Sequence, residues 1–114
     1  MKIIIVGCGK IGTTLAEQLS SEHHDLVVID TNPQKIQQLS ESIDVMGIVD
    51  NGASINVLSD AGIEDAHLLI AVTGSDELNL LCCVIAKKVS KCHTIARVRN
   101  PLYNKERNFI RKSL

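Results

Sequence analysis

The chain has 114 residues, a formal net charge of −1, and 45% apolar residues against only 2% aromatic ones. This length fits one domain with an aliphatic core. The near-neutral charge and the scarcity of aromatic rings argue against a nucleic-acid-binding surface. Because no apolar run approaches the roughly 20 residues of a membrane span, we expect no direct membrane insertion. The four cysteines match no zinc or CxxC spacing, and we expect them reduced and buried, as in a cytosolic protein.

Strand-like and helix-like segments alternate along the chain. Short aliphatic runs predict five strands, at Lys2–Val6, Leu26–Ile29, Val45–Val49, Leu68–Val72 and Thr94–Val98. The predicted helices start at Ile11, at Asn32-Pro33, near Ser54 (ending near Ala61), at Asp76 (ending near Ser90) and at Pro101. This alternation predicts an α/β protein with a doubly wound Rossmann fold, a parallel sheet of order 3-2-1-4-5 in which the sixth strand is missing. We expect residues 1–114 to form this one domain.

The glycine-rich loop after the first strand is the most specific local motif. Gly7-Cys8-Gly9-Lys10-Ile11-Gly12 has GxGxxG spacing, follows a strand and opens a helix. Gly7 allows a tight turn, Gly9 allows close approach of a pyrophosphate, and Gly12 allows the helix to pack near the strand. The first N–H groups of the helix face the phosphates, and Lys10 adds positive charge. The loop predicts a dinucleotide site, with a ligand-free tight turn as the alternative.

Asp30 ends the second strand, 18 residues after Gly12. In this fold an acidic residue at about that distance accepts hydrogen bonds from the adenosine ribose. A carboxylate there repels a 2′-phosphate, and neither Thr31 nor Asn32 supplies a cation to offset the repulsion. The sequence therefore favours NAD(H) over NADP(H). Capping of the next helix is the alternative role of Asp30, although Asn32 suits that role better.

Polar residues also follow the fourth strand, which we expect to lie beside the first, at the switch point where ligands bind. Thr73 and Gly74 stand at its end, with Thr73 suited to bind the pyrophosphate or the nearer ribose. Asp76, Glu77 and Asn79 surround the next helix start. The two acids also suit ordinary capping, whereas Asn79 interrupts an apolar stretch.

Two further features concern the end of the chain. Arg97 and Arg99 flank Val98, and strand alternation predicts that both arginines share one face, where one reaches a phosphate or an acidic neighbour. A solvated or interface ion pair is the alternative. The helix predicted from Asp76 has two apolar sides, which indicates either broad burial or packing against another subunit.

Together these residues resemble the N-terminal nucleotide-binding lobe of Trk-type potassium-uptake regulators, a domain shared with cytosolic regulators of potassium conductance (RCK domains). The resemblance covers nearly the whole chain. It is carried by GCGKIG, Asp30, the turn Asp50-Asn51-Gly52-Ala53, AVTGSDELNLL at 71–81 and ARVRNP at 96–101. The segment from Thr73 to Asn79 is its most specific part, since ordinary dehydrogenases lack it.

The resemblance implies a regulatory domain that binds NAD(H), or ATP or ADP, and assembles as a homodimer or larger ring. It further implies a cytoplasmic location, peripheral to the membrane, against a potassium-transporting membrane subunit. Members of this family continue with a sixth strand and a second lobe, so we expect a truncated chain, with a natural short form as the alternative. The candidate cofactor-binding residues are Gly7, Cys8, Gly9, Lys10, Ile11, Gly12, Asp30, Thr31, Asp50, Asn51, Thr73, Gly74, Glu77, Asn79 and Arg97, with Asp50 near the adenine.

Two other functions stay open: the cofactor half of an NAD-dependent dehydrogenase, and a sensor that prefers ATP or ADP. A dehydrogenase needs an acid–base group near the nicotinamide. His23, His24, His67 and His93 all precede predicted strands, so we expect them at the opposite end of the sheet. We therefore assign no catalytic residue and no metal ligand.

Overall fold

Five parallel strands form the sheet: β1 (Lys2–Val6), β2 (Asp25–Asp30), β3 (Met46–Val49), β4 (Leu68–Ala71) and β5 (His93–Ala96). In this computed structural model, which describes residues 1–105, they lie in the order β3-β2-β1-β4-β5. All four strand pairs are parallel. The predicted Rossmann topology is therefore confirmed for these five strands. Residues 106–114, including any continuation of the last predicted helix, lie outside the described part.

The helices are α1 (Lys10–Ser21), α2 (Pro33–Ser42), α3 (Ile55–Asp60), α4 (Asp76–Val89) and α5 (Pro101–Lys105). Two caps are as predicted. The Asn32 Oδ1 accepts the first N–H groups of α2 at 3.0 and 3.2 Å, and the Ser75 Oγ accepts the Leu78 N–H at 3.1 Å. A short 3-10 turn at Ile63–Asp65 was not predicted. Within residues 1–105, no helix has both the length and the apolarity to cross a membrane.

The three central strands β1, β2 and β4 are buried on both faces, which explains their continuous aliphatic sequences, whereas the edge strands β3 and β5 are largely exposed. One face packs against α1 and α2 through Ile3, Ile5, Leu26, Val28 and Ile70. The other packs against α3 and α4 through Ile4, Val6, Val27, Ile29 and Leu69. All four cysteines are free and buried, as predicted for burial. The broad burial predicted for α4 is confirmed in part, because most of its apolar side chains are buried or half-buried and only Leu81 and Val89 are exposed.

The turn from β1 into α1 leaves no room for a side chain at two glycines. Gly7 has φ +114°, and a Cβ on it would lie 2.9 Å from backbone atoms of Val72 and Thr73. A Cβ on Gly12 would overlap the carbonyl oxygen of Gly7. A Cβ on Gly9, in contrast, would meet nothing within 4 Å. The predicted turn at Gly7 and the predicted close packing at Gly12 are thus confirmed.

We expect Gly12→Ala to lower the free energy of unfolding by about 1–3 kcal/mol, as overpacking does in a tight interior. The new methyl group must displace backbone, which outweighs the gain of up to about 1 kcal/mol in helix propensity. Gly9→Ala is the matched control, because the same methyl group enters open space there. Urea denaturation followed by far-UV circular dichroism measures both variants. Equal stabilities of the two would contradict the packing role of Gly12.

Candidate functional site

A cleft of about 540 Å³ opens at the carboxyl ends of the strands, where the loops after β1 and β4 diverge. This is the switch point of the doubly wound sheet, since the chain leaves β1 toward one side and returns through β4 on the other. All five strands contribute a residue or a following loop. The cleft is lined by Val6, Gly7, Cys8, Gly9, Lys10, Ile11, Ile29, Asp30, Thr31, Lys35, Asp50, Asn51, Gly52, Val72, Thr73, Gly74, Leu78 and Arg97.

The structure brings together all but three of the candidate residues. Gly12 lies beneath the loop, against the Gly7 carbonyl. Glu77 borders a separate shallow depression with Asp76 and Arg99. Asn79 is fully buried behind the cleft wall. These three candidates therefore do not line the cleft.

Several lining residues were missed by the sequence analysis. Val6, Ile29 and Val72 stand at or just after strand ends, and that position is the pattern that would have indicated them. Lys35 is the more consequential omission, because only the two residues after Asp30 were considered as cations. Lys35 lies in the first turn of α2, three residues after its cap, and lines the cleft near Asp30. A cation thus borders this part of the cleft.

Asp30 joins two of the loops that form the cleft. Its Oδ2 accepts the Cys8 N–H at 2.7 Å, and its Oδ1 accepts the Asn32 N–H at 2.8 Å. The cap of α2 is Asn32, so the alternative in which Asp30 is merely that cap is wrong. The carboxylate is partly buried at the end of β2 and orients the glycine loop toward the cleft.

The turn after β3 packs against the floor of the cleft. The Asp50 Oδ1 accepts the Asn51 N–H at 2.7 Å, and the Asn51 Oδ1 accepts the Ala53 N–H at 2.9 Å. Gly52 is buried against Val6, whose side chain a Cβ would meet. Asp50 and Asn51 remain exposed beside the cleft, where the adenine side was expected.

Asn79 connects the loops after β4 and β5. Its Oδ1 accepts the Thr73 N–H at 2.8 Å and the Thr73 hydroxyl at 2.7 Å. Its Nδ2 donates to the Thr73 carbonyl at 3.1 Å and to the Arg97 carbonyl at 2.9 Å. The segment from Thr73 to Asn79, which is the most specific part of the resemblance, is therefore built on a buried amide that binds mainly backbone.

Asp76 holds the next part of the chain. Its carboxylate accepts the Arg99 N–H at 3.1 Å and the Asn100 N–H at 2.8 Å. These two hydrogen bonds lower the pKa of Asp76. The Arg99 guanidinium donates to the Gly74 carbonyl at 2.8 Å, whereas Arg97 lines the cleft. Strand alternation gives no basis for placing both arginines on one face, because β5 ends at Ala96. The charges of both arginines nevertheless also lower the pKa of Asp76, in agreement with the expected acidic neighbour.

Cys8 lies in the wall of the cleft, whereas two of the histidines lie at the other end of the sheet. Burial raises the pKa of the Cys8 thiol, so it is a neutral group in the cleft wall, and its Sγ donates to the Lys35 carbonyl at 3.6 Å. His67 and His93 line a pocket at the amino ends of the strands, as expected. In residues 1–105, no group of three or more His, Cys, Asp or Glu side chains is placed to hold a metal ion.

Comparison with known proteins identifies the family of this chain. The TrkA-N domain family matches residues 3–111. The chain belongs to the TrkA-N domain family. The Trk system potassium uptake protein TrkA of Haemophilus influenzae is 43% identical over 109 residues, covering 95% of this chain and 24% of that protein. A TrkA homolog of Archaeoglobus fulgidus is 44% identical over 103 residues, covering 90% and 23%. This TrkA-N domain thus spans about a quarter of the length of these curated relatives.

Solved structures show the same fold. The TrkA-N domain of the inner membrane protein ybaL from Escherichia coli superposes with a TM-score of 0.85 at 26% identity, covering 98% of this chain and 81% of that one. The GsuK channel bound to NAD gives a TM-score of 0.83 at 25% identity, covering 98% and 20%. GsuK bound to ADP gives 0.81 at 25% identity, covering 98% and 29%. The predicted resemblance to this family is confirmed.

The hydrogen bonds to Asp76 predict a pH dependence. A carboxylate whose folded-state pKa lies below its ordinary value of 3.8 adds stability above that pH, and the stability is lost as the pH falls through the folded-state pKa. Between about pH 5 and pH 2, the wild type should therefore lose more stability than Asp76→Asn. Urea denaturation at each pH measures this, with Asp44→Asn at an exposed site as the control. Parallel curves for wild type and Asp76→Asn would refute the assignment.

Proposed function

We propose that this TrkA-N domain binds NAD(H) across the cleft and acts as a nucleotide-responsive regulatory module of a potassium-transporting membrane protein. The proposal rests on the meeting of three predicted binding elements in one cleft. The glycine loop, the Asp30 carboxylate and the pair Thr73 and Arg97 come from separate parts of the sequence and line one cleft. A dinucleotide is long enough to use all three.

The glycine loop suits the pyrophosphate. The first hydrogen bond within α1 runs from the Thr13 N–H to the Gly9 carbonyl, so the preceding N–H groups of this helix are free of intrahelical partners. Within residues 1–105, no side chain caps this end, and its first turn has no acidic residue. The open space at Gly9 lets a phosphate approach the backbone closely. Lys10 lines the same part of the cleft.

Asp30 suits the adenosine ribose. Each of its carboxylate oxygens accepts one backbone N–H, and each has a second acceptor position. Two ribose hydroxyls can use those positions without disrupting the loop contacts. Lys35 lines the cleft together with Asp30 and reduces the repulsion of a 2′-phosphate. The charges around this part of the cleft therefore favour NAD(H) over NADP(H) less strongly than the sequence predicts. We retain NAD(H) because an NAD-bound channel shares this fold at a TM-score of 0.83.

The names of the relatives support a regulatory role. The curated relatives are named as Trk potassium uptake proteins, and a structural neighbour is a channel. Ligand binding shifts a conformational equilibrium by as much as the affinities of the two states differ. We infer that the domain works without catalysis, on the cytoplasmic face of the membrane, as a homodimer or larger ring. ADP or ATP is the alternative ligand, favoured by the ADP-bound neighbour.

Calorimetric titration tests the ligand. We expect NAD or NADH to bind more tightly than ATP, ADP or NADPH. Asp30→Ala should weaken binding about 10- to 100-fold, since hydrogen bonds to a charged group contribute about 1.5–3 kcal/mol. Asp44→Ala, at an exposed site outside the cleft, is the control. Tighter binding of ATP than of NADH would overturn the dinucleotide assignment.

The fold of each variant needs its own check, because Asp30 also holds two backbone N–H groups. Thermal denaturation identifies any Asp30→Ala sample that is unfolded. Gly9→Ala provides a second variant whose methyl group enters open space and leaves the fold intact. It should weaken NADH binding by occupying the space of the pyrophosphate. Unchanged NADH affinity in folded samples of both variants would show that this cleft is not the site.

A flux assay tests the regulatory step. We expect potassium flux through a Trk-type membrane subunit in proteoliposomes to change when this domain is added with NADH. The coupling typical of allosteric proteins, about 1–3 kcal/mol, corresponds to a change of about 5- to 150-fold in the open-to-closed ratio. Asp30→Ala at the same concentration is the control for ligand dependence. If the potassium flux is the same with and without the domain, and with and without NADH, the partner assignment is contradicted.

A further inference from the structure

The buried amide of Asn79 lies behind the cleft wall, between the loops after β4 and β5. We propose that Asn79 is a positioning residue that sets the separation of Thr73 and Arg97, and so controls affinity for the half of the dinucleotide beyond the adenosine phosphate. This inference rests on the proposed function. It differs from the prediction that Asn79 contacts the cofactor, because the side chain is 0% exposed.

The hydrogen bonds of Asn79 use its full capacity. A primary amide has two N–H donors and an oxygen that accepts twice. Three of these four interactions go to Thr73, at its N–H, hydroxyl and carbonyl. The fourth goes from Nδ2 to the Arg97 carbonyl at 2.9 Å. A fully satisfied buried network of this kind is rigid, so Asn79 holds the hydroxyl of Thr73 in one orientation, together with the Ser75 N–H, which donates to that hydroxyl at 3.2 Å.

The hydrogen bonds of Asn79 lie just beyond the point where the pairing of β4 and β5 ends. The ladder between β4 and β5 pairs Ala71 with Ala96, and the Arg97 N–H donates to the Ala71 carbonyl at 2.9 Å. Thr73 and Arg97 lie just past this point, where their side chains line the cleft. Asn79 replaces the ladder there, because its amide links the backbone of both residues. At the edge of the cleft the two loops are thus linked through the Asn79 side chain, whereas the Arg99 guanidinium links them further along, at the Gly74 carbonyl.

Asp76, one turn earlier on α4, holds the same junction further from the cleft. Its carboxylate binds the backbone of Arg99 and Asn100, and it does not line the cleft. Substitution of Asp76 therefore loosens the attachment of this segment to α4 without touching Thr73. It separates general loosening of the junction from a specific effect on cleft geometry.

Different side chains hold the backbone of the two halves of the cleft: Asp30 in the adenosine half and Asn79 in the other half. Ligands that fill one half or both halves can therefore distinguish an effect at Asn79 from general destabilisation. The adenosine half depends on Asp30, which is hydrogen-bonded to Cys8 and Asn32 rather than to α4. AMP occupies that half and the glycine loop alone, whereas NADH also reaches toward Thr73 and Arg97. A change at Asn79 should therefore weaken NADH and spare AMP. General destabilisation of the domain would weaken both ligands together.

The experiment is calorimetric titration of wild type, Asn79→Asp and Asp76→Asn with NADH and with AMP. Asn79→Asp keeps the size of the side chain but replaces two donors with an acceptor that faces the carbonyls of Thr73 and Arg97. We expect its NADH affinity to fall about 10- to 100-fold, the range for loss of a hydrogen bond to a charged group, with AMP affinity unchanged. Asp76→Asn should leave both affinities unchanged. If Asn79→Asp does not fold, Asn79→Ser gives the same comparison.

Loss of NADH with retention of AMP in the Asn79 variant alone supports the inference. Parallel loss of both ligands, no loss of either, or the same split in Asp76→Asn overturns it while leaving the proposed function intact. Failure of the wild type to bind NADH overturns the proposed function, and the inference with it.

Discussion

The contact between Gly12 and the Gly7 carbonyl is the constraint on which the site depends. It lets α1 begin directly beside the end of β1, with its free N–H groups at the switch point of the sheet. Because β1 lies between β2 and β4, the same turn touches both halves of the cleft. The Asp30 carboxylate reaches the Cys8 N–H across this turn, and the backbone of Thr73 lies within contact distance of Gly7.

Polar residues in this domain divide into two groups by burial. Asn79 and Asp76 are buried, and burial of an unpartnered polar group is costly. Asp76 therefore accepts backbone N–H groups, and Asn79 both accepts a backbone N–H and donates to backbone carbonyls. Lys35, Asp50 and Arg97 are at least partly exposed and line the cleft. Asn79 fixes the backbone behind the cleft wall, Asp76 holds the segment beyond it, and the second group is available to a ligand.

Much of this architecture was predictable because it depends on local pattern. Aliphatic runs of four to six residues separated by helix starts predict buried parallel strands, and the caps at Asn32 and Ser75 formed as expected. The predictions failed where a local pattern was applied outside the element that produces it. Alternation of Arg97 and Arg99 has meaning only inside a strand, and β5 ends at Ala96. Lys35 was missed because the first turn of α2 returns it to the cleft.

The sequence by itself determined the fold class, the strand order and the position of the cleft, since the spacing of glycines and aliphatic runs restricts how a chain this short can bury its sheet. Only the tertiary structure decided which polar residues face the cleft. Asn79 and Arg97 are 18 residues apart, and their relation depends on how α4 packs against the sheet. No local pattern distinguishes a buried amide that binds backbone from one that contacts a ligand, because that difference depends on what packs around it.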